Sequence, residues 1–574
     1  MRIPLSVLFG MTVAFGSATA IAQPAPPPAP PLPAPPPPAP PPMAAPDGPA
    51  RIDAPTKIEA PPPPPAPGAA SAAIDAPPPP PLPPAFPVES EAQAASSGPA
   101  LAGWHGAFYL RDAKDYFRIY PKLRVNLDFN TYFGPGVSSV AAADGGNALK
   151  TRFFLRRLEF ELGGEFLKKW TFNGGFEITQ PLANANGKTE TSAAKAGAAP
   201  SADSARFAAV QATTPGIQAA DVWINYTVAP WLNFMFGQYN APFSMENRTS
   251  NKTTPFVERN VAIRGFVRPS NKEMGVTVWG ELFDKQLNYE IGVFGGDGQN
   301  RPQVDGNVDV MGRIFVRPLS PSKEVISKLQ LGVSLYHGDR EPGYVGYDYS
   351  PITTGQGFAL WNPTYKDSLG RQTHVVPSTG QNAIGGELRV PVSIFDLRGE
   401  AYYVSNHTRE AVEGFQLTNT ERTGQVKGVG WYAQVSAWAF GDSFVTGDPG
   451  LVRPTRIDFT KEPERPKKGL EVLLLVAGVN AAYDGGGRAG GYDGKTPGNP
   501  NGKIAKDITV YQYGVGLNYW HTSYVRVSVD YSIYHTPGSG SADNLAGVPG
   551  NLLKEPIKGA NMIHELGTRL GIAF

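Results

Sequence analysis

The stretch Tyr116-Phe117-Arg118-Ile119-Tyr120-Pro121-Lys122-Leu123-Arg124-Val125-Asn126-Leu127-Asp128-Phe129-Asn130-Thr131-Tyr132-Phe133 alternates with a period of two. Phe117, Ile119, Leu123, Val125, Leu127 and Phe129 fall on one side, and Arg118, Lys122, Arg124, Asn126, Asp128 and Asn130 on the other. Successive side chains of a strand point to opposite faces, so the stretch reads as a strand with one apolar and one charged face. Pro121 is its blemish, because proline has no N–H to give to a ladder.

The same rhythm returns along the chain. Leu158, Phe160 and Leu162 alternate with Arg157, Glu159 and Glu161; Leu397, Ala401 and Tyr403 with Arg398, Glu400 and Tyr402; Val525, Val527 and Val529 with Arg526, Ser528 and Asp530. Connections between strands alternate in length. Short ones fall near 163–169, 229–230, 283–286, 393–396 and 521–523; long ones near 134–149, 181–218, 240–273, 338–381, 406–427, 484–506 and 536–563. A transmembrane β-barrel has this pattern, with short periplasmic turns, long external loops and an even strand count, here about 16 antiparallel strands. A soluble sandwich would bury the apolar face against a second sheet. Here the polar face carries opposed charges, which suits a water-filled lumen, and the aromatic and aliphatic face suits lipid. Closure into a barrel pairs every backbone group within the hydrocarbon. The expected fold is therefore all-β over 104–574.

What precedes the barrel has a different composition. Met1-Arg2, the apolar run 3–15 and Ala20-Ile21-Ala22 form a signal-peptide pattern over 1–22, which predicts export. Residues 23–100 are Pro/Ala-rich, with runs such as Pro35-Pro36-Pro37-Pro38. Proline removes the backbone donor, so this arm is expected to be disordered and extended, a spacer in the periplasm or a tether that touches peptidoglycan. Its removal should leave the pore intact.

The 574 residues carry 51 Lys+Arg against 50 Asp+Glu, a net charge of +1 that lacks the basic footprint of a nucleic-acid binder. With no cysteine, thiol catalysis and Cys-ligated zinc are excluded. The seven histidines form no ligand pair at helical spacing, and no Gly-x-Ser-x-Gly elbow is present, so neither a cofactor nor an enzymatic activity is expected. The Gly/Asp-rich stretch 483–503 lacks the ligand spacing of a calcium loop and reads as an external loop.

Several segments resemble the phosphate-selective porins O and P. They are Phe108-Tyr109-Leu110-Arg111, Leu155-Arg156-Arg157-Leu158-Glu159-Phe160-Glu161-Leu162-Gly163-Gly164, Asp221-Val222-Trp223-Ile224-Asn225-Tyr226 and Gly237-Gln238-Tyr239-Asn240-Ala241-Pro242-Phe243-Ser244. Val515-Gly516-Leu517-Asn518-Tyr519-Trp520 and the closing Arg569-Leu570-Gly571-Ile572-Ala573-Phe574 also match. The resemblance implies a 16-stranded homotrimeric porin in outer-membrane lipid, with the loop 240–273 folded into the pore. It implies diffusion of small inorganic anions, with phosphate as the candidate, and it marks Phe574 as the barrel-assembly signal. By motif position the anion-pathway candidates are Arg156, Arg157, Asp221, Arg248 and Lys252. Where family members often carry Lys in the Gly-Gln-aromatic turn, this chain has Asn240.

The residues themselves add Arg259 in the same loop, and Arg118, Arg124 and Arg398 from the inward register. The loop holds Arg248, Lys252, Arg259, Arg264, Arg268 and Lys272 against Glu246, Glu258 and Glu273. Adjacent Arg156 and Arg157 should face opposite sides of their strand, so that only one lines the pore. The alternatives are a non-selective general porin and a barrel-anchored tether to the cell wall.

Overall fold

The alternating strands close on themselves because the first finds a partner on each edge. The computed structural model describes residues 101–574 apart from 135–150, 179–216, 268–271, 413–421, 485–506, 538–561 and short gaps between 302 and 466. The expected signal peptide and Pro/Ala arm, Arg268 and most of 483–503 lie outside the described residues.

Sixteen antiparallel strands form the wall: β1 Phe117–Phe133, β2 Arg152–Phe166, β3 Trp170–Ile178, β4 Ile217–Ala229, β5 Leu232–Asn240 and β6 Lys272–Leu282. Then come β7 Leu287–Phe294, β8 Asp309–Val316, β9 Gln330–Gly338, β10 Gln372–Val392 and β11 Phe395–Val412. The last are β12 Arg422–Phe440, β13 Gly469–Asp484, β14 Asp507–Thr522, β15 Val525–His535 and β16 Met562–Ala573. β16 returns to β1 with the register His564↔Phe133 to Ala573↔Arg124, which closes the ring. A short hairpin, Ala102–Trp104 with Phe108–Arg111, precedes β1 and pairs with it through Leu110↔Ile119 and Arg111↔Arg118.

Pro121 now has a reason. Leu123 and Phe574 exchange both backbone hydrogen bonds at 3.0 Å, so odd residues of β1 face β16 here. Proline at 121 points its nitrogen toward the same edge, in the gap between the pairing with β16, which runs to Arg124, and that with the short strand Phe108–Arg111, which starts at Ile119.

The barrel is inside-out relative to a soluble core. Leu335 is 57% exposed and Leu474 56%, whereas Arg389 and Glu471 are 0% exposed. The apolar parity faces lipid and the charged parity faces a lumen filled by loops. Aromatic rings gather at the short-turn end: Phe166 stacks on Trp170 at 5.7 Å, Trp170 meets Tyr226 at 4.6 Å, and Phe108 meets Phe574 at 5.5 Å. Such rings settle at a membrane interface, where one side is apolar and the other wet.

Two connections break the expected alternation of lengths. Residues 317–329 and 441–468 both lie at the short-turn end, and the second is as long as an external loop. Turn length at that end is not fixed by strand pairing, which needs only that the chain return to the adjacent position.

Candidate functional site

The lumen wall is lined with ion pairs within strands, between neighbouring strands and across one intervening strand, placed there by the period-two register. Arg124 of β1 meets Glu159 of β2 at 2.7 Å, and Lys122 meets Glu161 at 3.7 Å. Arg313 of β8 meets Glu387 of β10 at 2.8 Å, and Asp128 takes Arg569 at 2.7 Å. At the short-turn end Asp396 takes both Arg389 and Arg398, at 2.7 and 2.9 Å. Arg118 reaches Asp115, Glu165 (2.6 Å) and the carbonyl of Ile457 (2.9 Å). Lys272 pairs with Asp221 at 2.7 Å. Paired charges fix side-chain positions but add little net field along the path.

The expectation that only one of Arg156 and Arg157 faces the pore is overturned. The register runs Asn126↔Arg157 and then Leu127↔Leu155, so Arg156 is the extra residue of a β-bulge. A bulge sets two residues opposite one and cancels the alternation locally. Both guanidiniums therefore point inward: Arg156 Nε donates to Glu258 at 2.9 Å and Arg157 Nε to Glu177 at 2.6 Å.

The connection from β5 to β6, residues 241–271, crosses the lumen. β5 and β6 stand half-way round the ring from β13 and β14, so the loop spans the full width. Its near end is tied by α1, Met245–Arg248, whose cap Ser244 accepts from Asn247 N. Glu400 of β11 accepts from Met245 N at 2.7 Å, Glu246 N at 2.9 Å and Tyr432 Oη at 2.7 Å. Arg248 is 3% exposed, pairs with Glu290 at 2.8 Å and donates to the carbonyl of Asn240. It is a tie to the wall rather than an exposed cation. Arg259 likewise turns back on its own loop and donates to the carbonyls of Glu246 (3.1 Å) and Thr249 (2.8 Å).

The far end is tied more densely. Asn518 Nδ2 donates to Pro255 O at 2.8 Å, Val257 N to Asp530 at 2.7 Å, and Val261 N to Gln512 at 2.9 Å. Glu258 takes Arg156 and Arg569, each at 2.9 Å. Phe256 lies over Gly514 and Gly516 of β14, where a β-carbon would come within 3.0 and 3.4 Å of the ring. These glycines on the lumen side leave room for the loop. Replacing Glu400 with Ala should orphan two backbone N–H groups and a tyrosine hydroxyl, at about 1–3 kcal/mol for each buried unsatisfied donor. Single-channel recording should then show larger and noisier openings.

Between the two ties, Lys252 stands apart from the other bases. Its Nζ lies 5.1 Å from the centre of the Tyr524 ring, and among the described residues no carboxylate is within salt-bridge distance. Burial, then the nearby Arg124 and Lys122, pull its pKa down to about 8. The sequence pointed to Lys252 through the family resemblance and the charge of its loop, not through any partner. It gave no sign of the 441–468 segment, which crosses the short-turn mouth: Gly450 N donates to Thr249 Oγ1 of the loop at 2.9 Å, and Gly450 O accepts from Arg313. The only hint was negative, a run without alternation that contains Pro449, Pro454, Pro463 and Pro466.

No curated protein matches the chain. Among solved structures, it is similar to OmpT of Vibrio cholerae expressed in the outer membrane (6% identity, 81% of this chain and 100% of that one, TM-score 0.42). It is also similar to the outer membrane channel DcaP of Acinetobacter baumannii (12% identity, 81% and 99%, TM-score 0.40) and to an anion-selective porin from Comamonas acidovorans (11% identity, 80% and 100%, TM-score 0.40). The family described as phosphate-selective porin O and P matches residues 125–553, well over half of the chain. A closed barrel with a lumen narrowed by an infolded loop, together with that match, makes this chain a member of the phosphate-selective porin O and P family, an outer-membrane porin.

Proposed function

We propose that the channel passes small inorganic anions by diffusion and prefers them to cations. The observation that carries this reading is Lys252: a loop cation over an aromatic ring, near Arg124 and Lys122, with no acid in contact among the described residues. Two further bases of the loop and wall are held by carbonyl oxygens, with Glu565 acting on the first and Asp530 and Glu471 on the second at longer range. Arg264 donates to Arg259 O (2.8 Å) and Thr353 O, and Arg526 to Thr254 O (2.6 Å). An anion that sheds part of its hydration at the constriction gains charge-assisted hydrogen bonds from such groups. Glu159 and Glu161, which face Arg124 and Lys122, keep the site from trapping it.

A general porin without preference is the second reading. It is favoured by the pairing of Arg156, Arg157, Arg248 and Lys272 with carboxylates, which leaves few bases to build a phosphate filter. In either case the family resemblance supports a homotrimer in outer-membrane lipid; the periplasmic place of the Pro/Ala arm, within reach of peptidoglycan, is proposed from its composition alone. Reversal potentials across a KCl gradient decide between the readings. A shift toward the chloride potential is expected, and a cation preference would reject the proposal. Competition of phosphate against chloride then tests whether phosphate is bound selectively.

A further inference from the structure

We propose that the hairpin 102–111, where the N-terminal arm joins the barrel, is a positioning element of the pore that holds the tip of the constriction loop through two separate routes. The inference rests on the reading of Lys252 as part of the anion path, and it makes the root of the arm part of the filter.

The first route runs through Tyr524, in the turn between β14 and β15. Its hydroxyl donates to Gly106 O at the hairpin turn (2.8 Å), and its ring meets Trp104 edge-on at 5.3 Å. Lys252 Nζ lies over the same ring, 5.1 Å from its centroid. Hairpin and loop cation thus meet at one aromatic ring.

The second route runs through the 441–468 segment. Phe459 packs on Tyr109 (4.7 Å) and His105 (5.1 Å) of the hairpin, with the guanidinium of Arg111 4.1 Å over its ring. His105 Nε2 lies 3.2 Å from Asp458 O, and Ile457 is buried with Tyr109 and Tyr120. The segment is held along its way by Arg456, on Lys168 O (2.8 Å), and by Arg453, on Glu281. It ends against the loop at Gly450, which donates to Thr249. That contact requires glycine: its φ is +74°, and a β-carbon there would lie 2.8 Å from Met245 Cγ. The two routes meet the loop at Thr249 and Lys252, within one turn of chain.

The hairpin is the lightly held partner in both. It pairs with β1 at only two positions, against ten or more for each long wall pairing such as β16 with β1. An element with few buried contacts moves more readily than the wall behind it. Its position sets where Tyr524 and the 441–468 segment place the loop tip, and the chain before residue 101 is attached to it directly.

Planar-bilayer recording of the intact protein and its variants tests this. Tyr524→Phe removes the hydrogen bond to Gly106 but keeps the ring under Lys252. Phe459→Ala removes the hold of the second route, and Phe459→Tyr keeps it. Tyr524→Phe and Phe459→Ala should each raise open-channel noise and lower anion preference by a factor of about two or more, the scale of couplings carried through packed side chains. Phe459→Tyr should behave as the parent. Deleting 23–100 should change neither readout, and extending the deletion through Arg111 should reproduce the point variants. Heat-modifiable migration on gels shows which variants are folded. Folded Tyr524→Phe and Phe459→Ala channels with parental noise and selectivity would overturn the proposal. Should Lys252→Gln leave selectivity unchanged, the anion-path reading fails, and the noise measurement still decides whether the hairpin positions the loop.

Discussion

The anion-to-cation permeability ratio should fall as the pH is raised from 7 to 9, far below the range in which an ordinary lysine loses its proton. Burial and the neighbouring Arg124 and Lys122 lower the pKa of Lys252 to about 8, so its charge is present at pH 7 and is lost as pH rises through that value. The arginines stay charged throughout. A unit charge about 8 Å from the ion path contributes about 2 kcal/mol at an effective dielectric constant of about 20, enough for a severalfold change in the ratio. Screening sets the condition: the Debye length is about 10 Å at 0.1 M salt but about 3 Å at 1 M, so the effect should be large in dilute KCl and small in concentrated KCl. Lys252→Arg should keep the preference through pH 9. Lys252→Gln should remove the pH dependence and most of the preference, and Lys252→Glu should carry the channel toward cations. A flat ratio between pH 7 and 9 in the parent protein would show that Lys252 is not in the path.

Much of the wall was legible because strand geometry is local. The parity that puts Arg124 and Asp128 inward and Leu127 outward follows from neighbours one residue apart, and it holds around the ring. The infolded loop was legible from the family resemblance and its charges. What each base touches was not. Arg248 and Lys252 are near neighbours in one loop, yet the first is bound to Glu290 on β7 and the second lies over Tyr524 in the turn between β14 and β15. Those partners lie at sequence separations that no local pattern encodes. The bulge at Arg156 was hidden for the opposite reason: one unpaired residue looks like perfect alternation on either side of it, and only the cross-strand register reveals the slip.

The same register makes Glu258 the residue whose loss should change conductance most. Its carboxylate joins the loop to two wall arginines, Arg156 and Arg569, both at 2.9 Å. Burial opposes its charge, but Arg156, Arg569 and Arg157 outweigh burial and hold the carboxyl well below the usual carboxylate range. A carboxyl depressed in this way stabilises the seated loop at every pH above its ordinary value and loses that effect only as pH falls through the depressed one, so acidification to pH 4 should leave the Glu258 pairs with Arg156 and Arg569 in place. Removal of the side chain is a different case. Arg569 keeps Asp128, whereas Arg156 loses the one carboxylate it contacts among the described residues. Breaking a buried pair from one side costs about 3–5 kcal/mol, most of it the penalty of the charge left behind. Glu258→Ala should therefore release the far end of the loop and give larger, flickering openings. Glu258→Gln keeps an acceptor for Arg156 and adds one positive charge to the lumen, so its anion preference should rise while conductance changes little. Combining Glu258→Ala with Arg156→Gln removes the stranded charge, and the double variant should recover part of the parental noise level. An Ala variant with parental conductance and noise would mean that Asp530, Gln512 and Asn518 hold the loop without Glu258.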